Sequence, residues 1–457
     1  MLGLISPLSL MVLCWGLTGA IALTTILSLD RLDLVQEFMA REKITLDAFT
    51  GIGIAWICVA FLTYTVGDLA ARVILPKRPR PPARFNLIRA AQFTFAINLI
   101  LLGVTLYWIV TTAGGLGGLG SLVQSTIEDS LATRDVLLEN KTFTGMRLFY
   151  AALPATGCLA AALLCARRLP RQSRLLCQIT LLLNTAALFV LPIVMSQRLL
   201  LLQLLLSAYL AACLARRRLI ALPWLLAACG LFMGLWFARE GITNPIHDEP
   251  AAQIALQKLA FYVLNDVSNS LAPLSEPIPH TYGKLTFEGL MFLTLTDGYF
   301  LPLLAPKLDA LDPLLGGGEF PFFTSPFVDF GPLGAALLIA LFGFLFRLAY
   351  YQARRSLAWA AIYAQIGAAL LFSSHSVYVT HQNFLFSLIL IGAITTLTRR
   401  RTRKHVVLPE PRVVFRSRRA SAPPPPLTLP EDLMDRIAVF TTIRTRPLKK
   451  APRHATG

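Results

Sequence analysis

GGGEFPFFTSPFVDFGPLG, residues Gly316–Gly334, runs directly into AALLIALFGFLFRLAY, residues 335–350. The second part is an apolar run that continues as a membrane span. The first part gathers glycines, aromatics, three prolines, Glu319 and Asp329 at the lip of that span. A helix facing lipid avoids every one of those choices, so the stretch reads as a polar vestibule entering the bilayer.

The chain around it has the same character. It has 457 residues, 55% hydrophobic and only 15% charged, with a mean hydropathy of +0.61. A soluble domain carries about 25% charged residues. Apolar runs of roughly 20 residues recur, and the short alternating segments of an outer-membrane barrel do not, so the expected class is an all-α polytopic membrane protein. The net charge of +17 is uneven: residues 399–457 hold 15 Lys/Arg against four Asp/Glu. Most other basic residues sit in short loops, as the positive-inside rule demands, and no nucleic-acid partner is expected. All seven cysteines fall in apolar runs without a CxxC pair. They read as small apolar residues rather than as disulfides or thiolate ligands.

Ten spans place the Lys/Arg clusters on one side, at about 4–27, 49–69, 90–112, 149–165, 175–195, 199–214, 219–237, 327–350, 358–378 and 384–397. Both termini are then cytoplasmic. Leu285–Leu304 has the length of a span but holds Glu288, Asp297, two glycines and a proline. It is expected as an interfacial or re-entrant helix within a long outer segment, 239–325. Residues 1–398 form the transmembrane domain, and 399–457 form a basic, Pro-rich cytoplasmic tail expected to be disordered.

With this topology the outer face collects Arg134, Arg198, Arg239, His247, Tyr262, Asn265, His280, Tyr282, Glu288, Glu319, Asp329, His375 and His381. Arg198 interrupts two long apolar runs, where an arginine either snorkels or binds an anion through its forked donors. Arg239 has the same two readings, with Glu240 as a neutralising neighbour; Arg134 is a further candidate. Asp329, ahead of Gly331, either caps a helix or serves as a general base, with Glu319 and His280 as rival bases. His375 and His381, six residues apart, do not share a helical face, so no metal pair is expected; they suit hydrogen bonding to a sugar or headgroup as well as a purely structural role. Walker, GxGxxG, HExxH and GxSxG motifs are absent.

Arg198 after an apolar span, the long outer segment, FYVLNDVSNSL (Phe261–Leu271), HTYGKLTFEGL (His280–Leu290) and TSPFVDFGPLGAALLIALFG (Thr324–Gly343) together resemble the O-antigen polymerases, the Wzy-type oligosaccharide repeat unit polymerases. The resemblance covers about Arg198 to Leu397, and the first half by topology alone. It implies a GT-C-like helical fold in the bacterial inner membrane. There, undecaprenyl-diphosphate-linked oligosaccharides would be joined en bloc at the periplasmic face into O-antigen, capsule or exopolysaccharide, with no cofactor and no metal. Arg198 and Arg239 would hold the donor diphosphate, Asp329, His280 or Glu319 would take the acceptor proton, and Arg134, Tyr282, His375 and His381 would line the substrate site. Phe320, Phe322, Phe323 and Phe327 would stack on sugar or lipid, or simply anchor the interface. Membrane lipids, a chain-length regulator and a flippase are the implied partners. An O-antigen ligase uses the same donor and is the nearest alternative; a lipid-linked glycan flippase or transporter is the alternative from another class.

Overall fold

The computed structural model describes residues 2–399, apart from 76–85, 129, 144, 167–168, 196–198, 221, 244–249, 275–276 and 316. Arg198, His247 and the tail beyond residue 399 therefore lie outside the described residues, and so does the side chain of Arg239.

The regular elements are helical throughout. The first half comprises α1 (Pro7–Leu27), a short α2 (Asp33–Arg41), α3 (Gly51–Ile74), α4 (Leu87–Thr112), two surface helices α5 (Leu119–Glu128) and α6 (Ser130–Glu139), and a pair α7 (Met146–Ala151) and α8 (Leu153–Leu164) that form one continuous span. Next come α9 (Arg171–Met195), α10 (Leu199–Arg216), α11 (Leu222–Thr243) and α12 (Ala251–Leu271). The last third comprises α13 (Lys284–Leu293), α14 (Asp297–Leu311), α15 (Ser325–Ala353), α16 (Leu357–Leu370) and α17 (Gln382–Leu397).

Among the described residues, seven helical segments are long and apolar enough to cross a membrane: α1, α3, α4, α7–α8, α9, α10 and α15. Shorter apolar helices, Leu226–Ala238, α16 and α17, stand where three further spans are expected. The distribution of side chains also suits lipid. Leu13, Leu17, Leu62, Val66, Leu182 and Leu337 face outward, while Asp68, Asn98, Asn184, Gln203 and Gln365 are sealed inside. The chain is a multi-pass helical membrane protein.

Small residues let α8 sit at the centre. Its window is 78% buried, against 28–33% for α1, α3, α4 and α9. Gly157 faces α10 so closely that a Cβ there would stand 2.3 Å from the Leu204 side chain. Around it, Thr156 donates to Asn98 at 2.6 Å, and the Asn184 amide donates to Thr156 and to the Leu153 carbonyl. Gln203 donates to Gln365 at 2.8 Å. Close backbones and internal hydrogen bonds join helices where lipid removes the hydrophobic drive.

The tightest pair is α3 with α15. A Cβ at Gly67 would stand 1.9 Å from the Ala340 carbonyl oxygen, and one at Gly343 would stand 2.4 Å from that of Tyr64. One turn on, Arg347 forks onto Asp68, Nε to Oδ1 at 2.6 Å and Nη2 to Oδ2 at 2.8 Å. Arg72 adds a 2.7 Å contact from the rim. Arg347 is thus a buried partner of Asp68 within its span.

The opening stretch also differs from expectation. Phe322 and Phe323 are fully buried and Phe320 nearly so, so they do not form an open lip. Phe323 packs on Trp15 (4.8 Å between centroids) and Phe61, and Phe322 packs on Tyr64, Phe342 and Phe346. The backbone there is satisfied from outside: Phe322 N donates to Ser373 O, the Trp56 indole to Phe323 O, and the Thr324 hydroxyl to Ser270 O. A loop so buried must find partners for its polar groups, and these three supply them.

Removing one member of the Asp68–Arg347 pair strands a charge. Asp68→Ala or Arg347→Ala is expected to cost about 3–5 kcal/mol, whereas Asp68→Leu with Arg347→Met is expected to cost much less. Thermal unfolding in detergent, comparing the singles with the double, checks this; equal losses in all three would contradict it.

Candidate functional site

The sequence candidates separate into two groups in space. In the first, Asp329 and His280 lie together beneath α13. Asp329 is fully buried and accepts from Thr281 Oγ1 (2.5 Å), Leu285 N (3.2 Å) and Thr286 N (2.7 Å). Those amides are the free donors of the first turn of α13, so Asp329 caps a helix other than its own. His280 is exposed, with Nδ1 at 3.0 Å from the Val328 carbonyl. Tyr282 is exposed at φ 53°, under the Lys307 ammonium at 4.2 Å. Gly331 (φ 69°, ψ −178°) breaks α15 directly after Asp329, a conformation open essentially to glycine alone.

Leu285–Leu304 is not a single helix. Asp297 begins a new one after Leu295 turns to φ 59°. The buried Lys284 ammonium reaches Asp297 at 2.5 Å and Glu288 at 3.3 Å. Of the two carboxylates that argued against a span, Asp297 thus pins α13 to the start of α14, and Glu288 pairs with Lys284 within α13. Gly289 lets α13 press onto the 380–382 turn, where a Cβ would stand 2.1 Å from Gln382 N.

The second group is a polar layer built from α12, the Glu319 loop and the turn between α16 and α17. His375 Nδ1 meets Asp266 Oδ1 at 2.7 Å. The His375 ring stacks on Tyr378, and Tyr378 contacts His381 at 5.9 Å. Glu319 accepts a hydrogen bond from the Ser376 hydroxyl and lies within electrostatic range of His375, Tyr378 and His381. His381 Nδ1 accepts from Asn383 N at 3.4 Å, capping α17.

Environment sets the charge states. Burial disfavours the His375 imidazolium, but the Asp266 carboxylate, its hydrogen bond and Glu319 outweigh it and hold the pKa above the ordinary value. Burial also raises the Asp266 carboxyl, against the opposing pull of His375. Both groups therefore hold protons more firmly than free side chains do. Burial lowers the pKa of His381, helped by Arg147 and opposed by Glu319.

Beside this layer opens a cavity of about 310 Å³. Lys141, Gly145 and Arg147 line one side, Gln382 and Asn383 the other, with Phe143 and Phe292 as apolar walls and Glu139 at the edge. Behind it, on α6, the Arg134 Nε is buried without a hydrogen-bond partner among the described residues, near enough to Arg147 for the two charges to repel. Partial burial and then Arg147 depress the Lys141 pKa. The Asn383 Oδ1 is likewise buried and unpartnered. Two cations, Lys141 and Arg147, therefore line the cavity with Glu139 beside them, and Arg134 stands within electrostatic range of Arg147.

Arg134, Glu319, His375 and His381 are thus brought together, while Asp329, His280 and Tyr282 form a separate assembly. Sequence reasoning passed over Arg147, Lys141, Asp266, Ser376 and Tyr378. Arg147 was hidden by starting the fourth span at Phe149, although Lys141 and Arg147 flank Gly145 at the mouth of that span. Asp266 was signalled only as the one acid in an otherwise uncharged run, FYVLNDVSNSL.

The chain matches no protein-family model, and no curated protein or solved structure is similar to it. Among the described residues no cluster of His, Cys, Asp and Glu is arranged to hold a metal.

With both pKa values raised, the folded chain binds more protons than the unfolded one. The contribution of His375 to stability is therefore complete below about pH 6.5 and is lost as pH rises through its folded value. In histidine NMR, Asp266→Asn is expected to lower the His375 midpoint, since burial then meets less opposition; an unmoved midpoint would mean that the pair does not set it.

Proposed function

We propose that the chain is a glycosyltransferase that joins lipid-diphosphate-linked oligosaccharides at the outer face of the bacterial inner membrane, as the resemblance to the Wzy-type polymerases implies. The observation that carries this reading is the pair Lys141 and Arg147 lining a cavity beside Glu319 and the histidine layer, with Arg134 within electrostatic range of Arg147. In this reading Leu226–Ala238, α16 and α17 cross as well, giving ten spans in a GT-C-like arrangement with both ends cytoplasmic.

The transfer needs only what the site offers. The acceptor hydroxyl oxygen bonds to the anomeric carbon of the donor's first sugar, and the bond from that carbon to the diphosphate oxygen breaks. The electron pair leaves on the lipid diphosphate, where Arg147, Lys141 and Arg134 meet the growing negative charge. The hydroxyl proton passes to Glu319, an exposed carboxylate oriented by Ser376. Asp329 takes no part in this step, because its oxygens are occupied by the first turn of α13. Its work is to hold the outer segment on α15.

Purified protein supplied with lipid-linked repeat unit and no nucleotide sugar is expected to produce longer glycans. Arg147→Ala is expected to slow this by about 10²-fold or more, as loss of a charge-stabilising donor does, while membrane insertion stays normal. Undiminished ladders from Arg147→Ala and from Arg134→Ala would sink the assignment. Orientation is a separate matter: a periplasm-active reporter fused after Glu276 should be active, and a silent fusion there would reverse the topology.

A further inference from the structure

A second, smaller pocket of about 160 Å³ lies on the other side of the Asp266–His375 pair. It is framed by α2 and α12 and floored by Gly317 and Gly318. We propose that it binds the terminal sugar ring of the acceptor glycan, a neutral polyhydroxy ligand; this deepens the transferase reading and rests on it.

Three observations carry the inference. The first is an unsatisfied acceptor: Asn265 is 5% exposed, its Oδ1 is buried without a partner among the described residues, and it lines this pocket. Its Nδ2 is already committed, donating to Gly317 O at 3.0 Å beside a second amide, from Asn269, at 2.8 Å. The free oxygen therefore calls for a hydroxyl donor, since leaving a buried acceptor unpaired is costly. The second is the floor. Gly317 (φ 79°) and Gly318 (φ 90°) hold a backbone shape that side chains rarely adopt, so the amide-pinned loop presents bare main chain. The third is the wall, where Phe38 packs on Phe261 at 5.3 Å and Tyr262 stands 37% exposed. Aromatic faces beside a few fixed polar groups suit a sugar, which is apolar on its C–H face and polar at its rim.

The cations at this pocket's rim are engaged: Arg41 is met by Glu42 at 3.0 Å, the Lys258 ammonium lies over the Phe38 ring at 5.8 Å, and His375 is paired with Asp266. The volume holds a single ring and leaves the rest of a glycan outside. His375 belongs to the wall of this pocket and, on its other side, to the layer that contains Glu319. A hydroxyl seated here is thereby directed toward the transfer site.

The test uses the full-length protein in nanodiscs and, as probe, the repeat-unit oligosaccharide released from its lipid diphosphate. Saturation-transfer NMR is expected to mark the non-reducing terminal sugar most strongly. Tyr262→Ala is expected to weaken binding by about tenfold, within what one aromatic contact provides, and to raise the KM for acceptor in chain extension with kcat little changed. Asn265→Asp keeps the acceptor oxygen but loses the amide that donates to Gly317 O, so weakened probe binding in this variant is expected to report the loop and retained binding the oxygen. Arg147→Ala should leave binding of this phosphate-free probe intact. Failure of the wild type to bind the probe, or equal binding by Tyr262→Ala, overturns the pocket assignment even if extension proceeds. Binding that responds to Tyr262 while wild-type extension fails supports the pocket and removes the transferase reading instead.

Discussion

The contact between α3 and α15 is the constraint on which the other helices depend. Gly67 and Gly343 bring two backbones to van der Waals distance, and the Arg347–Asp68 fork closes the same interface one turn further along. Either device alone would be weak. Glycine packing is not directional, and a buried ion pair repays its desolvation only with good geometry. Together they fix both the register and the rotation of α15, because the fork forms only when Gly343 faces Tyr64.

That rotation is transmitted upward. It seats Phe342 and Phe346 against Phe322, which packs edge-on against Phe323 and, through it, on Trp15 of α1. The chain from 320 to 325 is thereby held on Ser270 at one side and Ser373 at the other. Those two neighbours belong to the segments that carry Asp266 and His375. The polar layer is thus placed by an aromatic plug, and the plug by a glycine seam near the opposite end of the span.

Much of this was legible in the sequence, and for physical reasons. Apolar length marks spans directly, and the seven helical segments long enough to cross fall on expected spans. The rejection of Leu285–Leu304 as a span came from its charges, and the ion pairs of Lys284 show why those charges are there. What could not be read was pairing at a distance. Phe320–Phe323 looks like an interfacial lip until Trp15 and Tyr64, some 250 residues or more away in the chain, are known to cover it. Asp329 carried both a cap and a base reading because a one-dimensional pattern shows only the helix that a residue belongs to. Its partners lie more than 40 residues earlier. Arg147 was missed by a three-residue difference in where a span begins, and that difference decides whether a charge counts as loop or as site.

The capping of α13 by Asp329 has a consequence for how the protein is made. The donors it satisfies belong to residues translated before it, and its own position depends on α15 being threaded through the bilayer. Until that happens the first turn of α13 has no acceptor, and the segment from Thr281 to Thr286 has nothing to close against. The region around α13 can therefore mature only after the later span is in place. The order of assembly runs against the order of synthesis, and a single carboxylate couples the two.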